Sequence, residues 1–156
     1  MKKIFLLLFF VLGLVVVSCA HAPTVDWTLS ISGKVAEPLS FSYKELAEMP
    51  QIQLEDVFMD KSIGEDQIGA WSGVPLISLL EASNADPDFV TVTALASDGY
   101  AIEITKEELE GSLVALKVNG EWIQKADPEH GPLRLVCPKT PADRWVYKIV
   151  ELQVNS

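Results

Sequence analysis

The sequence predicts one α+β domain weighted toward short β-strands, and three observations carry that prediction. Apolar residues alternate with polar ones over short windows, the period-two signature of a half-buried strand. Two turn dipeptides, Asp98-Gly99 and Asn119-Gly120, stand between apolar runs where a hairpin needs positive-φ residues. Ser42-Tyr43-Lys44-Glu45 and Thr105-Lys106-Glu107-Glu108 are capping boxes, each opening only a short helical window.

Ahead of the domain, Lys2 and Lys3 precede an apolar run from Ile4 to Val17. That run is short of the roughly 20 residues that span a bilayer, and it has the layout of an export signal. Val16-Val17-Ser18-Cys19 closes it and resembles a bacterial lipobox, in which cleavage leaves a lipidated Cys19 as the new N-terminus. The expected organisation is a signal peptide over 1–18, a lipidated tether over 19–25 and a domain over 26–156. The expected location is the cell envelope, outside the cytoplasm and held by lipid, in the outer membrane where the host has two. Ala20 and not Asp follows Cys19, so nothing argues for inner-membrane retention.

Removing the 18 leader residues from 156 leaves 138, enough for one domain with a real core. The leader carries two lysines and no acid, so the formal charge passes from −10 to −12 on its removal. Such a surface repels nucleic acid and anionic headgroups, which excludes DNA or RNA partners and makes lipid the only membrane link. With Cys19 acylated, Cys137 has no partner for an intramolecular disulfide, and stability must come from the core.

Along the domain, Trp27, Leu29 and Ile31 mark a first strand. A helix follows from the Ser42 box to Met49, ended by Pro50. Ile52, Leu54 and Val57 mark a second strand, and Asp60 to Ala70 reads as a polar loop containing two glycines. Pro75 suits the first turn of a helix over Leu76 to Ala82. Phe89 to Ala96 and Tyr100 to Ile104 form a hairpin, and the Thr105 box opens a helix to about Gly111. Leu113 to Val118 and Glu121 to Ile123 form a second hairpin. Leu133 to Cys137 and Trp145 to Val154 are the last strands.

Several segments in this order resemble one family, the molybdopterin-binding domain of sulfite-oxidase-like oxidoreductases. They are Trp27 to Val35, Phe41 to Leu46, Trp71-Ser-Gly-Val-Pro-Leu76 with Leu79 and Leu80, and Ser97-Asp-Gly-Tyr100. Val118-Asn-Gly-Glu121, Gly131-Pro-Leu-Arg-Leu-Val136 with Pro138, and Trp145 with Lys148 and Ile149 complete the set. The resemblance implies an α+β domain on mixed, twisted sheets. Within it, Trp71-Ser-Gly-Val-Pro reads as an aromatic anchor, a turn and a helix start. Catalytic members hold molybdenum through a cysteine between the early helix and the Trp-Ser/Thr-Gly-Val motif. Here that segment, Gln51 to Ala70, contains no cysteine, and the neutral thioether of Met59 cannot replace an anionic thiolate. The familiar domain is also longer than this one.

A pterin's phosphate end needs cations and backbone donors, and one region is biased that way. Five of the ten Lys and Arg outside the leader, both arginines among them, fall between Lys125 and Lys148, opposed by Asp127, Glu129 and Asp143. Arginine offers a rigid donor fork for phosphate or carboxylate, and Gly131 lets backbone approach a ligand. The candidate ligand residues are His130, Arg134 and Arg144, with Trp71 and Tyr100 as walls. The alternative for this stretch is a solvated face with local ion pairs.

Other chemistry finds less support. Cys137 within Leu-Val-Cys-Pro reads as a small core hydrophobe, and His130 has no second histidine in the domain with which to build a zinc site. Asp56, Asp60, Glu65 and Asp66 lack the alternating-ligand loop of a calcium site. Walker, dinucleotide and Gly-x-Ser-x-Gly motifs are absent. The expectation is a lipid-anchored binding or accessory domain without redox catalysis. It takes a small organic anion or an envelope protein, with no metal and no cofactor expected. One alternative is a minimal molybdopterin-dependent oxidoreductase; another is a structural lipoprotein that docks a protein partner.

Overall fold

The computed structural model describes residues 21–61 and 64–156; the leader and Cys19 lie outside the described residues. Two sheets share one hydrophobic core. In the first, β1 (Thr28–Gly33) pairs antiparallel with β2 (Leu39–Ser42) and parallel with β10 (Ile149–Asn155). The far side of β10 carries β5 (Thr91–Ala96), whose hairpin partner β6 (Ala101–Thr105) forms the edge. The second sheet runs β3 (Ile52–Met59), β4 (Gln67–Pro75), β7 (Leu113–Val118) and β8 (Glu121–Trp122), with β9 (Arg134–Val136) also on β7. The single parallel pair makes the first sheet mixed, as the resemblance implies.

Local chemistry explains most elements. Leu29 and Ile31 are buried while their neighbours are not, the alternation β1 was read from. The Ser42 box is complete: the Glu45 carboxylate accepts from Ser42 N–H at 2.7 Å, and Ser42 Oγ accepts from Glu45 N–H at 3.3 Å. It opens α1 (Tyr43–Glu48), and α2 (Leu76–Ala82) follows Pro75 as expected. Leu76, Leu79 and Leu80 turn one face of α2 into the core.

Four local expectations are corrected. The polar loop ends at Gln67, where β4 begins. Two glycines hide the strand in the sequence, and pairing supplies what propensity lacks: Phe58 faces Ile68, and Asn119 Oδ1 accepts from Ala70 N–H at 2.9 Å. Trp71-Ser-Gly-Val-Pro is therefore strand and not turn. Gly73 is required because a Cβ there would stand 2.0 Å from the Val114 carbonyl oxygen. Thr105 and Glu108 do bond reciprocally, yet the segment stays a run of turns up to Gly111, which adopts φ 76°. A third helix forms instead at α3 (Ile123–Ala126). Finally, β10 starts at Ile149 and not at Trp145, because Lys148 takes a left-handed φ of 50° that breaks the strand. No helix among the described residues is long and apolar enough to cross a membrane.

Candidate functional site

Short β9 hangs between β7 and the 145–147 segment: Leu135 N–H donates to the Val146 carbonyl at 2.8 Å, and Arg134 bridges Tyr147. That pairing sends the Arg134 side chain into an aromatic chamber. Its guanidinium carbon lies 3.9 Å from the centre of the Tyr147 ring, 4.9 Å from Trp71 and 5.2 Å from Trp145. Trp71 and Trp145 meet edge to face at 5.9 Å, and the Trp145 indole N–H donates to the Cys137 carbonyl at 3.0 Å, which fixes the chamber wall.

Arg134 is 5% exposed and forms no ion pair among the described residues. Its Nε–H has no hydrogen-bond partner there, nor does the Trp71 indole N–H. Burial drives the guanidinium pKa down to about 10; the nearby Tyr147 and Asp127 pull it back only in part. Ring quadrupoles stabilise the cation where no carboxylate pairs with it, and the Nε–H stays unbonded among the described residues.

Two cavities meet at this residue. The smaller, about 300 Å³, is lined by Met59, Trp71, Asn119, Asp127 and His130. The larger, about 480 Å³, is lined by Ala96, Asp98, Tyr100, Asp143 and Trp145. Lys61, Arg134 and Tyr147 line both. His130 Nδ1–H donates to the Asp127 carboxylate at 2.9 Å, which orients the ring and leaves Nε2 free. Tyr100 stands at the rim, its hydroxyl donating to the Asp143 carbonyl at 3.2 Å.

The fold thus places Arg134, His130, Trp71 and Tyr100 around two cavities that share a wall, and it directs Arg144 elsewhere. Arg144 donates to Glu108 at 2.5 Å and to the Glu103 carbonyl at 2.8 Å, so it covers the open edge of β6. Its fork holds the Glu108 carboxyl down at about 2, below the usual 4.5. A carboxyl depressed in the folded state contributes stability above its unfolded pKa and loses it as pH falls toward the folded value. The thermal midpoint should therefore drop between pH 4.5 and about 2. In Glu108→Gln the drop over that window should be smaller; an identical acid profile would show that the pair carries no pH-dependent stability.

Sequence reasoning missed Lys61 and Tyr147. Lys61 was findable as the only cation between Lys44 and Lys106. Tyr147 was not, because it was assigned to a strand that the fold interrupts. Cys137 is fully buried and its thiol is pushed up to about 11, so it serves packing and not reactivity. Among the described residues no group of three or more His, Cys, Asp or Glu side chains could hold a metal ion.

The family model described as the oxidoreductase molybdopterin binding domain matches residues 17–156. The crystal structure of the sulfane dehydrogenase SoxCD from Paracoccus pantotrophus is similar, with a TM-score of 0.71 and 23% identity. The match covers 87% of this chain and 40% of that one, so this chain spans less than half the length of its structural relative. At that identity the likeness shows the fold alone. No curated protein matches the sequence.

Proposed function

Since the chain belongs to the oxidoreductase molybdopterin binding domain family, we propose that it uses that fold as a lipid-anchored, extracytoplasmic binding or accessory module without redox catalysis of its own. The observation that carries this reading is Arg134: a buried guanidinium in no ion pair among the described residues, its Nε–H unbonded there, on the wall shared by two cavities. Such a group is poised for an anion, and the surrounding rings suit a planar organic one. Lys61 adds a second cation, and the Trp71 indole N–H a free donor.

The family binds molybdopterin, and the residues here suit one end of it. Arg134, Lys61 and His130 would hold its anionic part. The metal end lacks its protein ligand, because Gln51 to Ala70 carries no cysteine and Cys137 is buried with a raised pKa. When bound, molybdopterin supplies redox chemistry at its metal; this chain's own residues supply a cationic, aromatic socket. The second reading, a minimal molybdopterin oxidoreductase, is favoured by the intact cavity under Trp71. It would need a metal ligated by the cofactor alone.

Calorimetric titration of the mature domain with small organic anions, pterin-6-carboxylate and citrate among them, tests the reading. Saturable one-to-one binding is expected, and its absence for every anion tried would remove the assignment. The anchor is tested by acyl labelling in a bacterial host, where label that persists in Cys19→Ser would refute lipidation at that residue.

A further inference from the structure

The two most exposed large apolar residues of the described chain are neighbours across one hairpin. Phe58 of β3 is 58% exposed, Ile68 of β4 is 66% exposed, and the two are direct register partners. Val57, Met59 and Gly69 beside them are buried, whereas Phe58 and Ile68 are open to solvent and form an apolar pair on the outer face, next to exposed Gln67. Packing inside the domain does not account for them.

What surrounds the pair is strongly one-signed. Glu55, Asp56, Asp60, Glu65 and Asp66 are all exposed on the same hairpin and its loop, and Lys61 is the one cation there. None of these acids forms an ion pair among the described residues. Phe58, Glu55, Asp56 and Asp60 also line a cleft of about 690 Å³ that runs against the Pro138–Pro141 segment, whose Lys139 is already paired with Glu110. The arrangement has the anatomy of a protein interface: an apolar centre, a charged rim and a slot for a long side chain. Ile68 further lines the smaller cavity at Arg134, so whatever covers the hairpin sits at that cavity's mouth.

We propose that the outer face of the β3–β4 hairpin docks a protein partner through an apolar patch ringed by Lys and Arg, one of which enters the acidic cleft beside Phe58. Charge decides among occupants. A second copy of this chain would bring five acids against five, and an anionic lipid surface would meet the same repulsion. A basic-rimmed protein gains at both the centre and the rim. The inference goes beyond the anion site and does not depend on it.

The test uses the full-length protein in its own cells, with a photo-crosslinking phenylalanine analogue at position 68. The captured protein is identified, purified and titrated against the mature domain. The expected result is a stoichiometric complex whose affinity falls as salt rises from about 50 to about 200 mM. It should weaken about tenfold or more in Phe58→Ser and in Ile68→Ser. Glu55→Lys with Glu65→Lys, which leaves the apolar pair intact, should also weaken it. Arg134→Gln should leave the cross-link in place, so failure of the anion site and failure of the dock are separable. No cross-link, a cross-link to lipid or to a second copy, or a purified partner indifferent to these variants and to salt would overturn the proposal.

Discussion

Arg134→Met is expected to make the domain more stable and unable to bind its anion. The drop of the guanidinium pKa from its ordinary value to about 10 corresponds to a penalty of about 3 kcal/mol on the charged form. Cation–π contact with Tyr147 returns about 0.5–2 kcal/mol of that kind of cost. Methionine fills a similar channel, keeps contact with the rings and brings no charge to desolvate. The net gain should be about 1–2 kcal/mol, read as a rise in thermal midpoint of about 2–6 °C. The sign with pH follows from the lowered pKa. The charged form is penalised at every pH below about 10, and the penalty relaxes only as pH climbs from there toward the ordinary guanidinium value. The stability gain should therefore persist across neutral pH. A saturating anion should raise the midpoint of the wild type and leave that of the variant unmoved. A fall in the variant's midpoint would mean that Arg134 is a structural strut of the aromatic chamber.

Gly73→Ala is expected to cost more than any surface change and to leave little folded protein. The added Cβ would lie 2.0 Å from the Val114 carbonyl oxygen and 2.6 Å from Ala115 Cα. Both are backbone atoms of β7, so no side-chain rotation relieves the clash, and β4 must leave its partner. A penalty of about 3–5 kcal/mol is expected, against a total stability of about 5–15 kcal/mol for a domain of this kind. Gly99→Ala provides the contrast: that glycine has φ 90° and nothing within 4 Å, so only backbone strain of about 1 kcal/mol should appear. Urea unfolding of the two variants measures the difference, and equal midpoints would show that β4 and β7 can part cheaply.

Most features written in contiguous residues were legible before the fold was known; the Thr105 box formed its bonds but not its helix. The Ser42 capping box, the Asp98-Gly99 and Asn119-Gly120 turns and the α2 start each depend on four or five neighbouring residues, and each formed where expected. Features decided by pairing were not. Gln67 to Ala70 became strand because β3 and Asn119 hold it, against the preference of Gly69. Trp145 to Tyr147 looked like the start of the last strand until Lys148 broke it and turned Tyr147 onto Arg134. The same distinction governs the site. The cationic bias between Lys125 and Lys148 was visible, but only the fold shows that Arg134 is buried with no ion pair among the described residues while Arg144 is paired with Glu108.

Metal and pterin analysis decides whether the Arg134 socket binds an anion without the family's metal. The mature domain should be exported in a host that makes the molybdenum cofactor, purified folded, and assayed for molybdenum and for pterin fluorescence. No molybdenum above background is expected, together with a site that binds an added organic anion. Stoichiometric molybdenum and pterin would contradict that expectation, and would make this a molybdoenzyme whose metal needs no protein thiolate.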